Sequence, residues 1–415
     1  MKSSSLSEAP LGVARAPHQT PGTERDAGER QPRPLSSEAD AASAATRALQ
    51  PVVIQFGRFG DMVMLSSVLQ LLHQRFGRPC VVLGAGPWNS QLFLNHPDVA
   101  RVWSFTRHLS MALGFTWWRA VWTLRRSAPG PVYVCERQPR QVRRIGRLIA
   151  LSRIDPARCL FITDERAVEG EHWVDRLVRF ARRTPPALSE VSYPLPPQRC
   201  RPAPRLQVVE SERAQLRTWL QEHGWEGRTL VLIQPGNFRS MSRGRDRWQG
   251  AKVDDKAWPL ADWVALLRKV SASLPGALLV LCGAPQEGPM LEQIRLAGAL
   301  PQLAVAELPM RRLLALCELA HSMISVDTGP AHAAAALGLP LLVLYGAESP
   351  RQWLPRSPSG SPVLALGGPP RLTRVDQITV EEVFEQWRTL SQQPRTGAAA
   401  PTPSHDATVQ PGTGT

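Results

Sequence analysis

The chain has 415 residues, 43% of them hydrophobic, which is enough to form sizeable cores and favours two domains. Its six cysteines are scattered with no C-x-x-C pair, which argues against a disulfide framework or a zinc site and predicts reduced thiols in a cytoplasmic protein. The formal net charge of +14 belongs to the middle of the chain, because residues 1–50 carry six basic and six acidic side chains and residues 391–415 are balanced.

Both ends of the chain have the composition of disordered tails. Residues 1–47 are rich in Ser, Ala, Pro and Arg and lack the apolar core of a secretory signal, and residues 391–415 are rich in Gly, Pro and Thr. The longest uncharged run, 329–347, is interrupted by glycines, prolines and a histidine. It therefore predicts a short helix and a buried strand rather than a membrane span.

Between the tails, strands and helices alternate in two blocks, 48–192 and 206–390. Residues 193–205 separate them and contain five prolines, which predicts an inter-domain linker. The first block has the strand candidates "PVVIQF", "PCVVLGAG" and "PVYVCE", with "LSSVLQLLHQRF" as a crossover helix. The second has the strand candidates "TLVLIQPG", "GALLVLCGA", "SMISVD" and "LPLLVLYG". Continuous apolar runs of this kind are typical of parallel strands buried on both faces, so we expect an α/β protein with two Rossmann-like domains whose ligands bind between them.

The excess positive charge is concentrated in residues 101–160, which hold twelve arginines against Glu136 and Asp155. Such a patch favours an anionic partner: nucleic acid, a membrane surface or a phosphorylated substrate. A solvated surface without a partner is the alternative. The patch also contains four tryptophans, Trp103, Trp117, Trp118 and Trp122. Together with the arginines, these side chains would dock a phosphorylated acceptor or a membrane surface.

The first candidate site lies in "VVIQFGRFGDMVML", where a strand and two glycines precede a helix predicted to begin at Asp61. Glycines allow a close approach of the backbone to a ligand, but a carboxylate at this point would repel a pyrophosphate. Asp61 either caps the helix, a contribution of about 1 kcal/mol, or accepts a proton from a substrate hydroxyl. The residues alone do not favour one role over the other.

Two weaker signals follow the first two strands of the second block. Lys256, shortly before Trp258-Pro259, could neutralise a diphosphate as a point charge, although a lone lysine is more often a plain surface residue. Glu287 lies just past the strand "LLVLCG", where an acidic side chain can bind ribose hydroxyls.

The strongest signal is "SVDTGPAHAAAALGLPLLVLYGAESP" at 325–350. Asp327 or Thr328 caps an alanine-rich helix, so that Thr328, Gly329 and the first helical amides form an anion site suited to phosphate. His332 lies on the first turn. A buried structural histidine is the alternative to a ligand-binding one.

Three motifs occur in this order: "GRFGDMV", "QPG…DKAWPL" and "SVDTGPAHAAAALGLPLLVLYGAESP". Together they resemble the heptosyltransferases of glycosyltransferase family 9. The best-known members of that family add heptose from ADP-heptose to the lipopolysaccharide inner core. The resemblance covers about 51–390. It implies a GT-B fold of two Rossmann-like domains, with the acceptor on the first and the donor nucleotide on the second. It also implies an inverting reaction that uses neither a metal nor another cofactor.

Site residues follow from the resemblance by position. Asp61 matches the aspartate that acts as general base on the acceptor hydroxyl. Lys256, Asp327, Thr328, Gly329 and His332 match the diphosphate-binding residues, and Glu287 matches the ribose-binding glutamate. The implied partners are a nucleotide sugar such as ADP-heptose and an anionic glycolipid acceptor, with peripheral contact to the cytoplasmic face of the inner membrane and no nucleic acid.

The sequence departs from the family at Gln234, where His-Pro-Gly is frequent, and in the long loop 237–255, which carries four arginines and a lysine.

Two other functions share the α/β pattern. A dinucleotide-dependent oxidoreductase is weakened by the lack of G-x-G-x-x-G at the start of a helix, and a non-catalytic binding module has charge but no nucleic-acid motif in its favour.

Overall fold

The computed structural model describes residues 48–86, 88–105, 115–127, 130–197, 201–237 and 254–393. The tails predicted at 1–47 and 391–415 lie outside these ranges except for residues 391–393, as do Cys200 and most of the loop 237–255.

The first half of the described chain is built on a five-stranded parallel sheet in the order β3-β2-β1-β4-β5. Its strands are β1 (Val52–Ile54), β2 (Cys80–Ala85), β3 (Val99–Phe105), β4 (Val132–Val134) and β5 (Cys159–Phe161). Its helices are α1 (Phe59–Phe76), α2 (Trp88–Leu92), α3 (Phe115–Ser127), α4 (Pro139–Leu151) and α5 (Trp173–Ala181). Helices α1 and α5 pack on one face of this sheet, and α3 and α4 pack on the other.

The second half is built on a six-stranded parallel sheet in the order β11-β10-β9-β6-β7-β8. Its strands are β6 (Leu230–Gln234), β7 (Leu278–Gly283), β8 (Leu303–Glu307), β9 (Ser322–Val326), β10 (Leu341–Tyr345) and β11 (Val363–Gly367). Its helices are α6 (Glu210–Glu222), α7 (Leu260–Ser273), α8 (Gly288–Gly298), α9 (Met310–Leu319), α10 (Gly329–Ala336), α11 (Pro350–Trp353) and α12 (Val380–Ser391).

The predicted α/β class with two parallel sheets is confirmed, and both sheets have the doubly wound order of Rossmann-like folds. The strand order reverses between β1 and β4 in the first sheet and between β6 and β9 in the second. Ligands of such sheets bind beyond the carboxyl ends of the strands at these points. Asp61 follows β1, and the segment 327–332 follows β9, so both predicted sites lie at a reversal point.

We call residues 48–192 the first lobe and residues 206–393 the second lobe. One hydrophobic cluster runs through both, from Leu69 of α1 and Leu177 of α5 to Ala333 of α10 and Leu316 of α9. The predicted linker lies against the first lobe: the Arg205 amide donates to Ser66 Oγ at 2.9 Å, and Arg75 Nε donates to the Tyr193 carbonyl at 3.1 Å. The linker therefore runs along α1 in both described pieces, and the exact domain boundaries stay a prediction.

A second connection between the lobes lies at the start of α5. The His172 side chain accepts from the Val174 amide through Nδ1 at 3.2 Å and contacts the Leu354 carbonyl through Nε2 at 2.8 Å. Nearby, Nη1 and Nη2 of Arg356 donate to Oδ1 and Oδ2 of Asp175, each at 2.6 Å. These bonds tie the first turn of α5 to the segment that follows α11.

The buried His172 makes the stability of this connection sensitive to acid. Burial and then the neighbouring Arg356 lower the pKa of His172 from 6.5 to about 4. The unfolded chain therefore binds a proton below pH 6.5 that the folded chain does not take up until about pH 4, so stability is lost as the pH falls through this window. We expect His172 alone to lower the free energy of unfolding by about 2 kcal/mol between pH 7 and pH 5.

The measurement is urea unfolding at both pH values for the wild type and for His172→Asn, which keeps a residue able to cap α5 but does not titrate. The acid-induced loss should be about 2 kcal/mol smaller in the variant. Equal losses in the two proteins would contradict this role of His172.

All five cysteines in the described ranges, Cys80, Cys135, Cys159, Cys282 and Cys317, are buried free thiols. Burial raises the pKa of Cys159 to about 11. Among the helices of the described ranges, none is long and apolar enough to cross a membrane.

Candidate functional site

Asp61 stands at the beginning of α1, in the turn that follows β1. The helix begins at Phe59, two residues earlier than the sequence predicted, and Asp61 occupies its third position. Its Oδ2 accepts the backbone N–H of Arg58 at 2.8 Å, so the side chain folds back over the helix start instead of standing at the N-cap position. Gly57 makes this possible, since a Cβ there would lie 2.5 Å from Cβ of Asp61. Asp61 therefore caps the start of α1, and this role is compatible with a second one as a proton acceptor.

The turn that carries Asp61 is held in place by a buried carboxylate from the next strand of the sheet. Oε2 of Glu136, at the carboxyl end of β4, accepts the Phe56 amide at 3.0 Å. Its Oε1 accepts the amides of Arg137 and Gln138 at 3.0 and 2.9 Å. Glu136 is only 4% exposed and joins the two turns at the reversal point of the first sheet. The sequence pattern did not predict this role.

The segment predicted to bind an anion lies at the start of α10. Thr328 is the N-cap residue with an extended backbone, Gly329 opens the helix and Pro330 follows. The Thr328 side chain makes no capping hydrogen bond. The helix start is therefore not covered by its own cap, as expected for a turn that receives a ligand.

The N-terminal ends of α1 and α10 meet between the lobes. A Cβ at Gly329 would lie 2.5 Å from Cδ1 of Phe59 and 3.0 Å from the backbone N of Gly60. A Cβ at Gly60 would lie 3.1 Å from Cδ2 of His332 and 3.4 Å from Cα of Gly329. Two glycines are required for this approach because any side chain would separate the helix ends. The contact brings the turn of Asp61 beside the predicted diphosphate site.

His332 is buried at this contact and is 5% exposed. Burial lowers its pKa, and Lys256 acts in the same direction, while Asp327 and Asp61 raise it less than burial lowers it. The ring is therefore neutral near pH 7, with one nitrogen able to donate and one able to accept. Nδ1 has no hydrogen-bond partner within the described ranges. A buried polar atom in this state is suited to a bound ligand.

Lys256 also lies near the contact between the starts of α1 and α10, where it pairs with Asp327. Its ammonium forms a short ion pair with the Asp327 carboxylate and also reaches the Asp327 carbonyl at 3.5 Å. The lysine backbone is fixed by Asp254, whose Oδ1 accepts the Lys256 amide at 3.1 Å. The side chains of Lys256 and Asp327 are 18% and 10% exposed, so the pair is sheltered but still accessible to a ligand.

Glu287 occupies a separate position, beyond the carboxyl end of β7. It is 3% exposed, and its Oε2 accepts the Ala284 amide at 2.9 Å. Its carboxylate lies against the backbone of the strand ends, since a Cβ at Gly236 would lie 1.9 Å from Oε1 and a Cβ at Gly283 would lie 3.1 Å from Oε2. Glycines after β6 and at the end of β7 thus make space for this side chain.

Gln234, which departs from the family pattern, ends β6 and is 2% exposed. Its Nε2 donates to the Gly236 carbonyl at 3.3 Å, while its Oε1 has no hydrogen-bond partner within the described ranges. The rest of the unusual loop, 238–253, lies outside those ranges.

The structure thus brings together Asp61, Lys256, Asp327, Thr328, Gly329 and His332 where the lobes meet. Glu287 stands apart from this cluster along the edge of the second sheet. In the described ranges, no group of three or more His, Cys, Asp or Glu side chains is placed to hold a metal ion. The expected metal independence stays a prediction.

This arrangement defines the fold. Two Rossmann-like lobes meet at the carboxyl edges of their sheets, with a carboxylate on one and a cationic helix start on the other, which is the arrangement of the GT-B fold. Residues 248–378 match the family model of glycosyltransferase family 9 (heptosyltransferase), which confirms the resemblance over that segment. The match over this segment supports a glycosyltransferase, and the segment contains every predicted site residue except Asp61.

Solved structures with this fold include ADP-heptose lipopolysaccharide heptosyltransferase II of E. coli, with a TM-score of 0.61, 18% identity and coverage of 83% of this chain and 98% of that chain. A family 9 glycosyltransferase of Veillonella parvula has a TM-score of 0.63 and 14% identity, with coverage of 83% of this chain and 98% of that chain. The E. coli heptosyltransferase WaaC with ADP has a TM-score of 0.56 and 16% identity, with coverage of 82% of this chain and 100% of that chain. At these identities the likeness concerns the fold. No curated protein sequence matches the chain significantly.

Proposed function

We propose that this glycosyltransferase moves heptose from ADP-heptose onto a lipopolysaccharide-core or similar glycan acceptor, with inversion, without a metal and with Asp61 as general base. The observation that carries the proposal is the contact of Gly60 with Gly329 and His332. This contact supports the proposal because the turn of Asp61 lies beside the helix start proposed to bind the donor diphosphate. A base and a leaving-group site are the two requirements of direct sugar transfer.

The donor diphosphate binds at the start of α10, where the amides after Thr328 and the ammonium of Lys256 supply positive charge. Gly329 lets the backbone approach the phosphate, and the neutral His332 contributes a hydrogen bond. Asp327 orients Lys256 through their ion pair. Of the proteins with this fold, WaaC is described with ADP and with ADP-2-deoxy-2-fluoro heptose, which supports a nucleotide sugar as the donor.

In the transfer step the acceptor hydroxyl oxygen forms a bond to the anomeric carbon of the sugar, and the bond from that carbon to the diphosphate oxygen breaks. The hydroxyl proton passes to the Asp61 carboxylate. The released nucleoside diphosphate gains one negative charge, which Lys256 and the amides of α10 stabilise. Preorganised charge of this kind is usually a large contribution to catalysis.

Glu287 is proposed to hold the ribose hydroxyls of the donor. It follows the strand next to β6, as the ribose-binding acid does in many doubly wound folds. The nucleoside part of the donor then extends along the sheet edge from the α10 turn to Glu287.

The acceptor is proposed to be an anionic glycolipid at the cytoplasmic face of the inner membrane. The twelve arginines of residues 101–160 lie in the acceptor lobe and favour a phosphorylated partner.

An oxidoreductase is disfavoured because Gly60 packs against Gly329 and Asp61 folds over the start of α1, so this helix does not offer an open pyrophosphate site.

The test is calorimetric titration of the protein with ADP, UDP, GDP and NAD in parallel. We expect saturable binding of ADP, with UDP and GDP at least about tenfold weaker, a difference of roughly 1.4 kcal/mol. Binding of NAD alone would support the oxidoreductase instead. Binding of none of the four would support a non-catalytic module.

A further inference from the structure

Helices α3 and α4 form the outer layer on one face of the first lobe and pack against each other. Their inner sides belong to one core cluster, with Val121 and Leu124 from α3 and Ile145 and Leu148 from α4. Neither helix contains an aspartate or glutamate. We call their outward-facing side the α3–α4 surface.

The α3–α4 surface is strongly basic. Arg140, Arg143 and Arg147 recur at three- and four-residue spacing along α4, so they form one stripe opposite the buried residues, and all three are exposed. Arg119, Arg125 and Arg126 are exposed on α3.

The same surface exposes two large aromatic side chains. Trp118 and Trp122 are four residues apart on α3, so they lie on one side of the helix, and they are 52% and 55% exposed. The guanidinium carbon of Arg126 lies 3.8 Å from the centroid of the Trp122 ring. At the end of α4, Leu151 is 45% exposed. Apolar and cationic groups are therefore interleaved across both helices.

We propose that the α3–α4 surface binds an anionic lipid bilayer. Arginines attract acidic headgroups, and tryptophan rings are stable at the boundary of headgroups and acyl chains. A single-stranded nucleic acid would instead need aromatic faces open for base stacking, and Arg126 covers one face of Trp122. The interleaved pattern on an outer helical layer therefore favours a bilayer.

The position of α4 relative to the candidate site fits this partner. Glu136 accepts amides from the Asp61 turn through Phe56 and from the residues that begin α4, Arg137 and Gln138. The α3–α4 surface therefore begins at the sheet edge that carries Asp61. A glycolipid whose acyl chains stay in the bilayer can reach that edge with its glycan. The inference deepens the proposed function and rests on it for the nature of the acceptor.

The experiment is sedimentation of the full chain with vesicles of 30% phosphatidylglycerol and 70% phosphatidylcholine, compared with pure phosphatidylcholine. We expect binding to the anionic vesicles that weakens when the ionic strength is raised, and little binding to the neutral ones. No sugar donor or acceptor is present, so the result does not depend on transfer activity. Failure to bind anionic vesicles would overturn the proposal even if ADP binds normally.

A triple variant with Arg140→Gln, Arg143→Gln and Arg147→Gln tests the surface itself. Each arginine near an anionic bilayer contributes roughly a fivefold factor, so the variant should bind about a hundredfold more weakly. The matched control is Arg217→Gln, Arg268→Gln and Arg388→Gln, which removes the same charge from exposed positions of the second lobe. ADP binding by both variants checks that they are folded.

Equal vesicle binding by the two triple variants would overturn the assignment of this surface, because charge alone would then explain the attraction. A second variant, Trp118→Ala with Trp122→Ala, should also weaken vesicle binding while keeping ADP affinity. An RNA oligonucleotide that binds through the arginine stripe of α4, with no binding to vesicles, would assign the surface to nucleic acid instead.

Discussion

Replacing Asp61 with asparagine is expected to lower the rate of sugar transfer by about 10²–10⁴-fold while ADP affinity and the fold are kept. An amide cannot take up the proton that the acceptor hydroxyl must lose. Its oxygen can, however, accept the N–H of Arg58, which the carboxylate accepts at 2.8 Å, so the cap at the start of α1 is preserved. The expected loss of stability is limited to about 0.3–1 kcal/mol, from the charge near the helix dipole.

Asp155 offers a matched control for this variant. It also caps a helical turn, accepting the Ala157 amide at 2.9 Å, but it precedes β5 and therefore lies at the opposite edge of the same sheet. Asp155→Asn makes the same chemical change to a cap and should leave transfer unchanged. The measurements are the transfer rate with ADP-heptose and calorimetric ADP binding for both variants. If Asp61→Asn kept near-normal turnover, the carboxylate would be a cap only.

The interior of the fold could be predicted from the sequence, and its edges could not. The seven predicted strands are the interior strands β1, β2, β4, β6, β7, β9 and β10. These strands are uncharged, mainly apolar runs because neighbours cover them on both sides. The four strands that were not predicted, β3, β5, β8 and β11, all lie at sheet edges. Strand β3 reads "VARVWSF" and is mostly half-buried or exposed, so its sequence carries no such run.

The candidate site could be predicted where it depends on local sequence. The turn after β9 and the glycine turn before Asp61 are continuous motifs, and the structure brings them into contact through Gly60 and Gly329. Glu136 was missed because its partner Phe56, in the turn after β1, lies 80 residues away along the chain. A lone acidic residue at the end of a buried strand in a basic region is the signal that could have identified it.

The proposed base and the proposed diphosphate site belong to different lobes but lie close together, since the starts of α1 and α10 touch. His332 packs on Gly60 at this contact, and burial lowers its pKa. In the proposed mechanism its neutral ring would stand between the Asp61 carboxylate and the diphosphate, where it limits their repulsion without adding a charge.

Lys256→Ala is expected to weaken ADP binding by about 10- to 100-fold, because a charge-assisted hydrogen bond of about 1.5–3 kcal/mol to the diphosphate is lost. The transfer rate should fall by about 10²-fold or more, since the charge that develops on the leaving group is no longer neutralised. The variant also leaves the Asp327 carboxylate, 10% exposed, without its cation. That change should lower the free energy of unfolding by about 1–3 kcal/mol.

Because Lys256 pairs with Asp327, the single variant changes both ADP binding and the stability of the fold. A double-mutant cycle with Asp327→Asn separates the two effects. Removing both charges relieves the unpaired carboxylate, so stability should recover in the double variant. If Lys256 only supports Asp327, ADP affinity should recover with it. If Lys256 binds the diphosphate, ADP affinity should stay weak. Lys269→Ala, which breaks the exposed pair with Glu381, is the control and should change neither quantity measurably.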